Sequence, residues 1–461
     1  MTGRPILTAA EMRHAEDAAI AGGTGAETLM NRAGRAAAEA IRLYAGPTPA
    51  LVICGPGNNG GDGYVIATAL RGAGVAVRVA ALAEPAAPAA AKARAAWGAS
   101  VEPFAEAAPA SVLVDALFGT GLRRPLEGAV AEQLARLAAA ARVRVAVDLP
   151  SGVSSDDGRI LSPVPTFHLT ITFATLKPAH LLEPAAGRMG RIAVADIEVA
   201  ADSLLREIGR PNIAPPGPQV HKYSRGYVAV LAGEMPGAAA LAAGAALRAG
   251  AGYVRLVGQG PVTNLPSAIV QGGDLSSTLG DSRVGAVAVG PGFGRGDEAR
   301  ALLTQALAAD VPLVLNADAL TLGGKEGPAL FRRARHCPVL TPHTGEFERL
   351  FGELTGSKVE QTRRAAQAGG AVVVYKGPDT VVAAPDGRAA IASAASHWLA
   401  SAGTGDVLTG VIAAMRASGR GAFEAACAGV WLHNRAAELA GPGLIADDLL
   451  PQLPRALSEC L

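Results

Sequence analysis

The sequence predicts an α/β protein of two domains, each a parallel sheet with helices on both faces. Three observations predict it. Short apolar runs ending at a glycine or an acidic residue alternate with helix-period segments, the strand–turn–helix rhythm of a parallel sheet. At 461 residues the chain exceeds the size at which one hydrophobic core keeps growing. Two glycine-rich segments, one in each half, stand where a strand would feed a helix.

Composition narrows the function classes. Half of the residues are apolar and only 4% are aromatic, so the core material is Ala, Val and Leu, suited to close packing of helices on sheets. The formal charge is +1 and no Lys/Arg run exceeds two residues. Electrostatic capture of nucleic acid or of an anionic membrane is therefore not supported. Phosphate would have to be bound by local backbone donors. Glu11, Arg13, His14, Glu16 and Asp17 make the amino terminus too polar for a secretory signal, and the apolar stretches break before membrane-spanning length. Cys54, Cys337, Cys427 and Cys460 lack CxxC or Cys/His spacing, so neither a disulfide framework nor a zinc site is indicated. The expectation is a cytoplasmic protein acting on small molecules.

In the first half, 12–21 and 26–44 read as helices, and 51–54 as a buried strand that runs into Gly55-Pro56-Gly57-Asn58-Asn59-Gly60-Gly61-Asp62-Gly63. Residues 62–72 read as the next helix, and 75–82, 112–115 and 143–147 as strands. Ligands of such sheets bind at the carboxyl ends of the strands, so Asn58, Asp115 and Asp148 should share one edge. Pro211 and Pro215-Pro216-Gly217-Pro218 can continue neither helix nor sheet. They place the boundary near residue 213, giving domains 1–212 and 213–461. Beyond it, 227–231, 286–289, 313–315, 339–340 and 372–375 read as strands, and 238–249 and 406–417 as helices.

Consecutive small polar residues at 58–63 exceed what a tight turn needs, and let backbone N–H groups approach a phosphate at a helix amino end. The paired asparagines break the G-x-G-x-x-G dinucleotide pattern. A second loop, Phe118-Gly119-Thr120-Gly121-Leu122-Arg123-Arg124-Pro125, adds backbone donors and two guanidinium groups. Asp148-Leu149-Pro150-Ser151-Gly152 places a carboxylate at a strand tip, where it either serves chemistry or caps the turn. Asn59, Asp115 and Ser151 offer the hard oxygen donors that an alkali or alkaline-earth ion prefers.

These motifs, with Thr172-Phe173 and Lys177-Pro178, resemble the NAD(P)H-hydrate epimerases in order and over most of residues 1–212. The resemblance implies a Rossmann-like three-layer domain, an isomerase of hydrated NADH and NADPH. By position, Asn58, Asn59, Gly60, Gly61 and Asp62 would hold the substrate, as would Gly119, Thr120, Gly121, Leu122, Arg123, Arg124 and Pro125. Asn59, Asp115 and Ser151 would ligate potassium. Asp148 would contact the nicotinamide ring and move the proton that epimerisation at C6 requires.

In the second half, Ala402-Gly403-Thr404-Gly405-Asp406 opens a helix. Its amides could stabilise a phosphoryl group while Asp406 takes the proton of an attacking alcohol; the bland alternative is that Asp406 only caps the helix. Lys376-Gly377-Pro378-Asp379-Thr380, Thr341 to Glu346 and Gly290 to Gly294 each follow a strand. His343 is either a satisfied loop histidine or a ligand contact. No Walker A pattern occurs.

Together with His221-Lys222, Gly237-Ala238-Ala239 and Ala317-Asp318-Ala319-Leu320, these segments resemble the ribokinase-like ADP-dependent NAD(P)H-hydrate dehydratases. The resemblance implies a three-layer lyase domain that uses ADP as phosphoryl donor with Mg2+. Lys376, Gly377, Pro378, Asp379, Thr380 and Gly405 would bind the nucleotide. Ala238, Gly292, His343 and Asp406 would line the hydrate, with Asp406 as base, and the resemblance also implies a homo-oligomer. Three positions depart from the family pattern. Asn316 stands where an aspartate is usual, a change that bears on magnesium or phosphate contacts, and Pro236 and Tyr223 replace more usual residues. The rival reading is a small-molecule kinase fused to a binding domain; a scaffold would have no use for carboxylates at both cradles.

Overall fold

The computed structural model describes residues 3–258, 262–263, 265–393 and 395–461. They form two compact units, Arg4–Ser203 and, together with Gly3, Leu204–Leu461.

In the first unit the described residues contribute strands β1 Ala50–Cys54, β2 Val77–Ala81, β3 Glu102–Pro103, β4 Val112–Ala116, β5 Val143–Val147, β6 Leu169–Phe173 and β7 Arg191–Ala195. Helices are α1 Ala9–Ala21, α2 Ala26–Ala45, α3 Asn58–Gly72, α4 Pro88–Trp97 and α5 Gly128–Ala140. The sheet order is β3-β2-β1-β4-β5-β6-β7, and every pairing is parallel. Alternate residues of β1 enter different cores. Val52 and Cys54 pack with Ala37 of α2 and with Tyr64 and Ile66 of α3, whereas Leu51 and Ile53 pack with Leu134 and Leu137 of α5. That division makes three layers, and it explains why these strands read as unbroken apolar runs. The order reverses between β1 and β4, so a crevice opens there at the carboxyl edge.

In the second unit the strands are β8 Leu205–Glu207, β9 Tyr227–Leu231, β10 Tyr253–Val257, β11 Ile269–Gln271, β12 Ala286–Val289, β13 Leu313–Leu315, β14 Val339–Leu340, β15 Val372–Tyr375, β16 Val381–Ala383 and β17 Ala389–Ile391. Helices are α6 Pro236–Arg248, α7 Leu275–Leu279, α8 Asp297–Ala308, α9 Ala317–Gly323, α10 Gly327–Phe331, α11 Thr344–Phe351, α12 Lys358–Gly369, α13 Thr404–Ala417, α14 Ala422–Ala440 and α15 Ala446–Ser458. Ten strands run in the order β11-β10-β9-β12-β13-β14-β15-β16-β17-β8. The sheet is parallel as far as β15, and β16 then pairs antiparallel with both β15 and β17. Val228, Ala288, Val314, Val372 and Val374 share one core with α6, α13, α14 and α15. Their neighbours Ala229, Val287, Leu313 and Val373 are equally buried, so this sheet too is covered on both faces. The expected α/β class and parallel sheets are what the structure contains.

Two expectations shift. The boundary falls between Ser203 and Leu204, not at 212/213. The proline run reads as a linker, but β8 precedes it and pairs in parallel with β17 through Leu205, Arg206 and Glu207. Helix α3 begins at Asn58, not Asp62, because Gly57 is extended and takes the cap position without a side-chain hydrogen bond. The asparagine–glycine cradle is thus the first helical turn itself, with its N–H groups uncapped.

Candidate active sites

In the first unit the carboxyl edge carries a cavity of about 440 Å³. It is lined by Asn58, Asn59 and Asp62 from α3, by Gly119, Thr120, Gly121 and Leu122 from the loop after β4, and by Asp148 after β5. Met12 and Glu16 of α1 and the side chain of Lys177 close it. A larger hollow of about 680 Å³ lies among α2, α3 and α4. No strand-tip residue reaches it, so it lacks the chemistry that singles out the smaller cavity.

Asp148 is the most constrained group there. Its φ of 66° is left-handed, a conformation costing a non-glycine residue about 1 kcal/mol or more. Oδ2 accepts the Thr120 N–H at 2.9 Å, and Oδ1 accepts the Thr172 hydroxyl at 3.1 Å. The Lys177 ammonium lies 3.0 Å from Oδ1, with Lys177 itself only 1% exposed. Burial alone would raise the Asp148 pKa, but Lys177 and these hydrogen bonds outweigh it and hold the carboxyl below its ordinary value. Lys177 also donates to Thr172 Oγ1 at 2.8 Å and to the Phe173 carbonyl at 3.0 Å. His180 donates from Nε2 to the Asp148 carbonyl at 2.9 Å and accepts the Lys177 N–H at Nδ1. Burial, with Lys177 nearby, pushes its pKa down to about 4, so one neutral tautomer satisfies both contacts.

Two further carboxyls face the pair. Asp62 is raised well above the usual range by burial and by the charges of Asp148 and Glu16. Glu16 is raised by burial, with Asp148 and Asp17 adding to it against Lys177. The cavity thus holds one carboxylate fixed by a buried lysine and two carboxyls whose pKa values burial raises.

Asp115 is fully buried near the tip of β4. It accepts the Ser151 hydroxyl at 2.7 Å, the Ser151 N–H at 2.9 Å and the Leu117 N–H at 3.1 Å. All three donors are neutral, and burial pushes Asp115 up to about 6. Both side-chain heteroatoms of Asn59 are buried without a partner. A Cβ on Gly119 would stand 2.6 Å from Asp148 Oδ2 and 3.2 Å from Asn59 Oδ1, so glycine keeps that space open. A buried carboxylate with neutral partners, a hydroxyl and an orphaned amide oxygen form a donor set that fits a hard cation such as potassium.

Other expected residues fall elsewhere. Arg123, Arg124 and Pro125 are exposed and outside the cavity lining. Gly60 and Gly61 serve packing: a Cβ there would meet the Gly55 carbonyl at 1.9 Å and the Met30 side chain at 2.5 Å. Thr172 and Lys177 sit inside motifs quoted above yet went unassigned, and Glu16 and His180 carried no spacing signal.

In the second unit, Asp406 sits in the first turn of α13, whose cap Gly403 has φ 86° and makes no side-chain hydrogen bond. The Thr404 carbonyl accepts from His433 Nε2 at 2.9 Å. Asn316 follows β13 and donates from Nδ2 to Asp406 Oδ1 at 3.1 Å. Its Oδ1 accepts Lys376 Nζ at 3.1 Å and the Thr341 hydroxyl at 2.9 Å. Burial pushes Asp406 up to about 6; Glu346 and Asp318 add to this, and Lys376 and Asn316 oppose it. Lys376 is lowered by burial against Glu346 and Asp406.

Around this core, Gly292 has φ 59°, and a Cβ there would meet the Met235 carbonyl at 2.1 Å. Loop 290–294 therefore packs directly on the approach to α6, whose first turn holds Ala238. His343 caps α11 by accepting the Gly345 N–H at 3.1 Å, and its Nε2 stands 3.6 Å from Glu346 Oε1. It is largely exposed. In the 376–380 loop the Thr380 hydroxyl bridges Gly377, while the Asp379 carboxylate is committed to Lys358. Among the described residues no cluster of three or more His, Cys, Asp or Glu could hold a metal ion, and no helix is long and apolar enough to cross a membrane.

Comparison with known proteins assigns each unit. Residues 228–455 match the family model described as NAD(P)H-hydrate dehydratase, and residues 26–179 match that of the YjeF-related protein N-terminus. The Bifunctional NAD(P)H-hydrate repair enzyme Nnr of Thermofilum pendens is 36% identical, over 94% of this chain and 92% of its own length. The protein of that name from Escherichia coli K12 is 33% identical, over 93% and 89%. The solved ADP/ATP-dependent NAD(P)H-hydrate dehydratase of Bacillus subtilis, co-crystallised with ATP and Mg2+, is 29% identical; it covers 54% of this chain and 95% of its own, with a TM-score of 0.46. With identity of this order extending through both units, the chain belongs to the family of bifunctional NAD(P)H-hydrate repair enzymes.

Proposed function

We propose that this protein restores hydrated NADH and NADPH. The unit Arg4–Ser203 interconverts the R and S epimers at C6, and the unit Leu204–Leu461 dehydrates the S epimer with ADP, releasing AMP and phosphate. The observation that supports this most is Asp406, a carboxylate at an uncapped helix amino end with the half-buried Lys376 nearby.

Asp406 takes the proton of the C6 hydroxyl as that oxygen attacks the terminal phosphorus of ADP. The P–O bond to AMP breaks, and its electron pair leaves with AMP. Lys376 and the N–H groups of Thr404 and Gly405 balance the charge on the phosphoryl oxygens. Phosphate then departs with the C6–O electron pair, and loss of a C5 proton restores the double bond. Residues 376–380 and Gly405 hold the nucleotide, and Ala238, Gly292 and His343 line the hydrate. Magnesium bound with the nucleotide would help to neutralise charge on the phosphoryl group.

In the first unit Asp148, kept ionised by Lys177, accepts the proton of the same hydroxyl. Asp62 and Glu16, both raised by burial, line the same cavity and would supply the proton that the ring nitrogen takes up. The C6–N bond opens and recloses on the other face. Potassium, held by Asn59, Asp115 and Ser151, would supply a fixed positive charge near the substrate phosphates. The setting implied is cytoplasmic, with the chain as a homo-oligomer.

The test mixes both hydrate epimers with the protein and ADP and follows the absorbance of reduced nicotinamide. Recovery of both epimers with release of free phosphate is expected. Consumption of ATP with a stable phosphorylated product would instead identify a kinase.

A further inference from the structure

Asn316 sits at the centre of the second unit's carboxyl edge. Its N–H bonds to the Val289 carbonyl at 3.0 Å, and its carbonyl is so close to Gly290 that a Cβ there would lie 1.7 Å away. On the other side the Thr341 N–H bonds to the Leu315 carbonyl. The side chain is therefore held between three strand tips and is only 2% exposed.

Its orientation follows from chemistry. An ammonium donates and cannot accept, so the amide atom 3.1 Å from Lys376 Nζ is the oxygen. The Thr341 hydroxyl reinforces the same choice at 2.9 Å. The nitrogen must then face Asp406, whose Oδ1 accepts it at 3.1 Å. Among the described residues Oδ2 of Asp406 has no protein hydrogen-bond donor.

We propose that Asn316 is a positioning residue for phosphoryl transfer: by donating to Oδ1 it fixes the Asp406 carboxylate as an acceptor and presents Oδ2 to the alcohol. This rests on the reading of Asp406 as the base. The other charged groups facing Asp406 are Lys376, which favours its ionised form, and Glu346 and Asp318, which oppose it. Asp318 is itself tied to Arg295 at 2.7 Å. An amide is neutral and gives Asp406 nothing to share a proton with. A carboxylate in its place would keep Lys376 and Thr341 on one oxygen and set its other oxygen against Asp406 Oδ1. Two carboxylate oxygens at that separation hold one proton between them and titrate as a pair.

The experiment measures kcat and kcat/KM of ADP-dependent dehydration against pH for the full-length wild type, Asn316→Asp, Asn316→Ala and Asp406→Asn, with thermal unfolding of each. Asn316→Asp should move the acidic limb of kcat/KM upward by about one pH unit or more. Asn316→Ala should lower kcat about ten- to a hundredfold with little change in KM for ADP, an effect that does not depend on the aspartate variant folding. An unmoved acidic limb in a folded Asn316→Asp protein, or full kcat in Asn316→Ala, overturns the role of Asn316. Retained activity with an unchanged profile in Asp406→Asn overturns the base assignment beneath it.

Discussion

Asp406 and Asp148 are both carboxylates at strand or helix tips, yet their surroundings drive them in opposite directions. Asp406 is raised to about 6 by burial, so as pH falls through 6 it gains a proton and ceases to be a base. Dehydration kcat/KM should hold above pH 7 and drop about tenfold for each unit below 6, read directly from a pH–rate profile. Asp148 is lowered because Lys177 lies against it, so epimerisation should persist into more acidic buffer than dehydration does. Asp148→Asn keeps the backbone, since asparagine tolerates a φ of 66°. It leaves Lys177 buried and unpaired, which costs about 3 kcal/mol. A lower unfolding midpoint with lost epimerisation, and unimpaired dehydration of the pure S epimer, is the expected result; loss of both activities would refute separate sites.

Among the elements, α13 shows how packing and chemistry share a helix. Gly410 lies one turn beyond Asp406, and a Cβ there would meet the Ala242 carbonyl of α6 at 2.0 Å. Alanine gains about 1 kcal/mol of helix propensity over glycine. The opposing backbone cannot yield as a side chain does, and overpacking of this kind costs about 1–3 kcal/mol. Gly410→Ala should therefore lower stability by up to about 2 kcal/mol net, and reduce dehydration by shifting Asp406. Denaturant unfolding alongside kcat would decide it, and unchanged values of both would show that α6 moves aside. Helix α3 follows the same logic at its amino end, where Gly60 and Gly61 admit Gly55 and Met30 so that Asn58 and Asn59 can face the cavity.

For the whole molecule, the division at 203/204 makes a prediction that a division at 212/213 does not. Strand β8 completes one edge of the second sheet through β17, and Ile208 enters the core beside it. A fragment beginning at residue 204 should unfold at a higher temperature than one beginning at 213. Equal midpoints would mean that β8 adds nothing to that sheet.

The buried parallel strands were legible in the sequence because both their faces are apolar. Val143–Val147, Ala286–Val289, Leu313–Leu315 and Val372–Tyr375 were read to the residue. The glycine cradles were legible as strand-to-helix turns, although each proves to be part of the first helical turn and Gly60 and Gly61 serve packing. Short or half-polar strands such as β3, β8 and β11 carry no such pattern. What lay beyond the sequence is the company each group keeps across the fold. Lys177 reaches Asp148 from 29 positions away in the numbering, Asn316 reaches Asp406 from 90, and Lys376 reaches Asn316 from 60. The chain itself determines which residues can carry a proton or a charge. Only the sheet edge decides which of them share one low-dielectric space, and that sharing sets whether a carboxylate is fixed, poised or protonated.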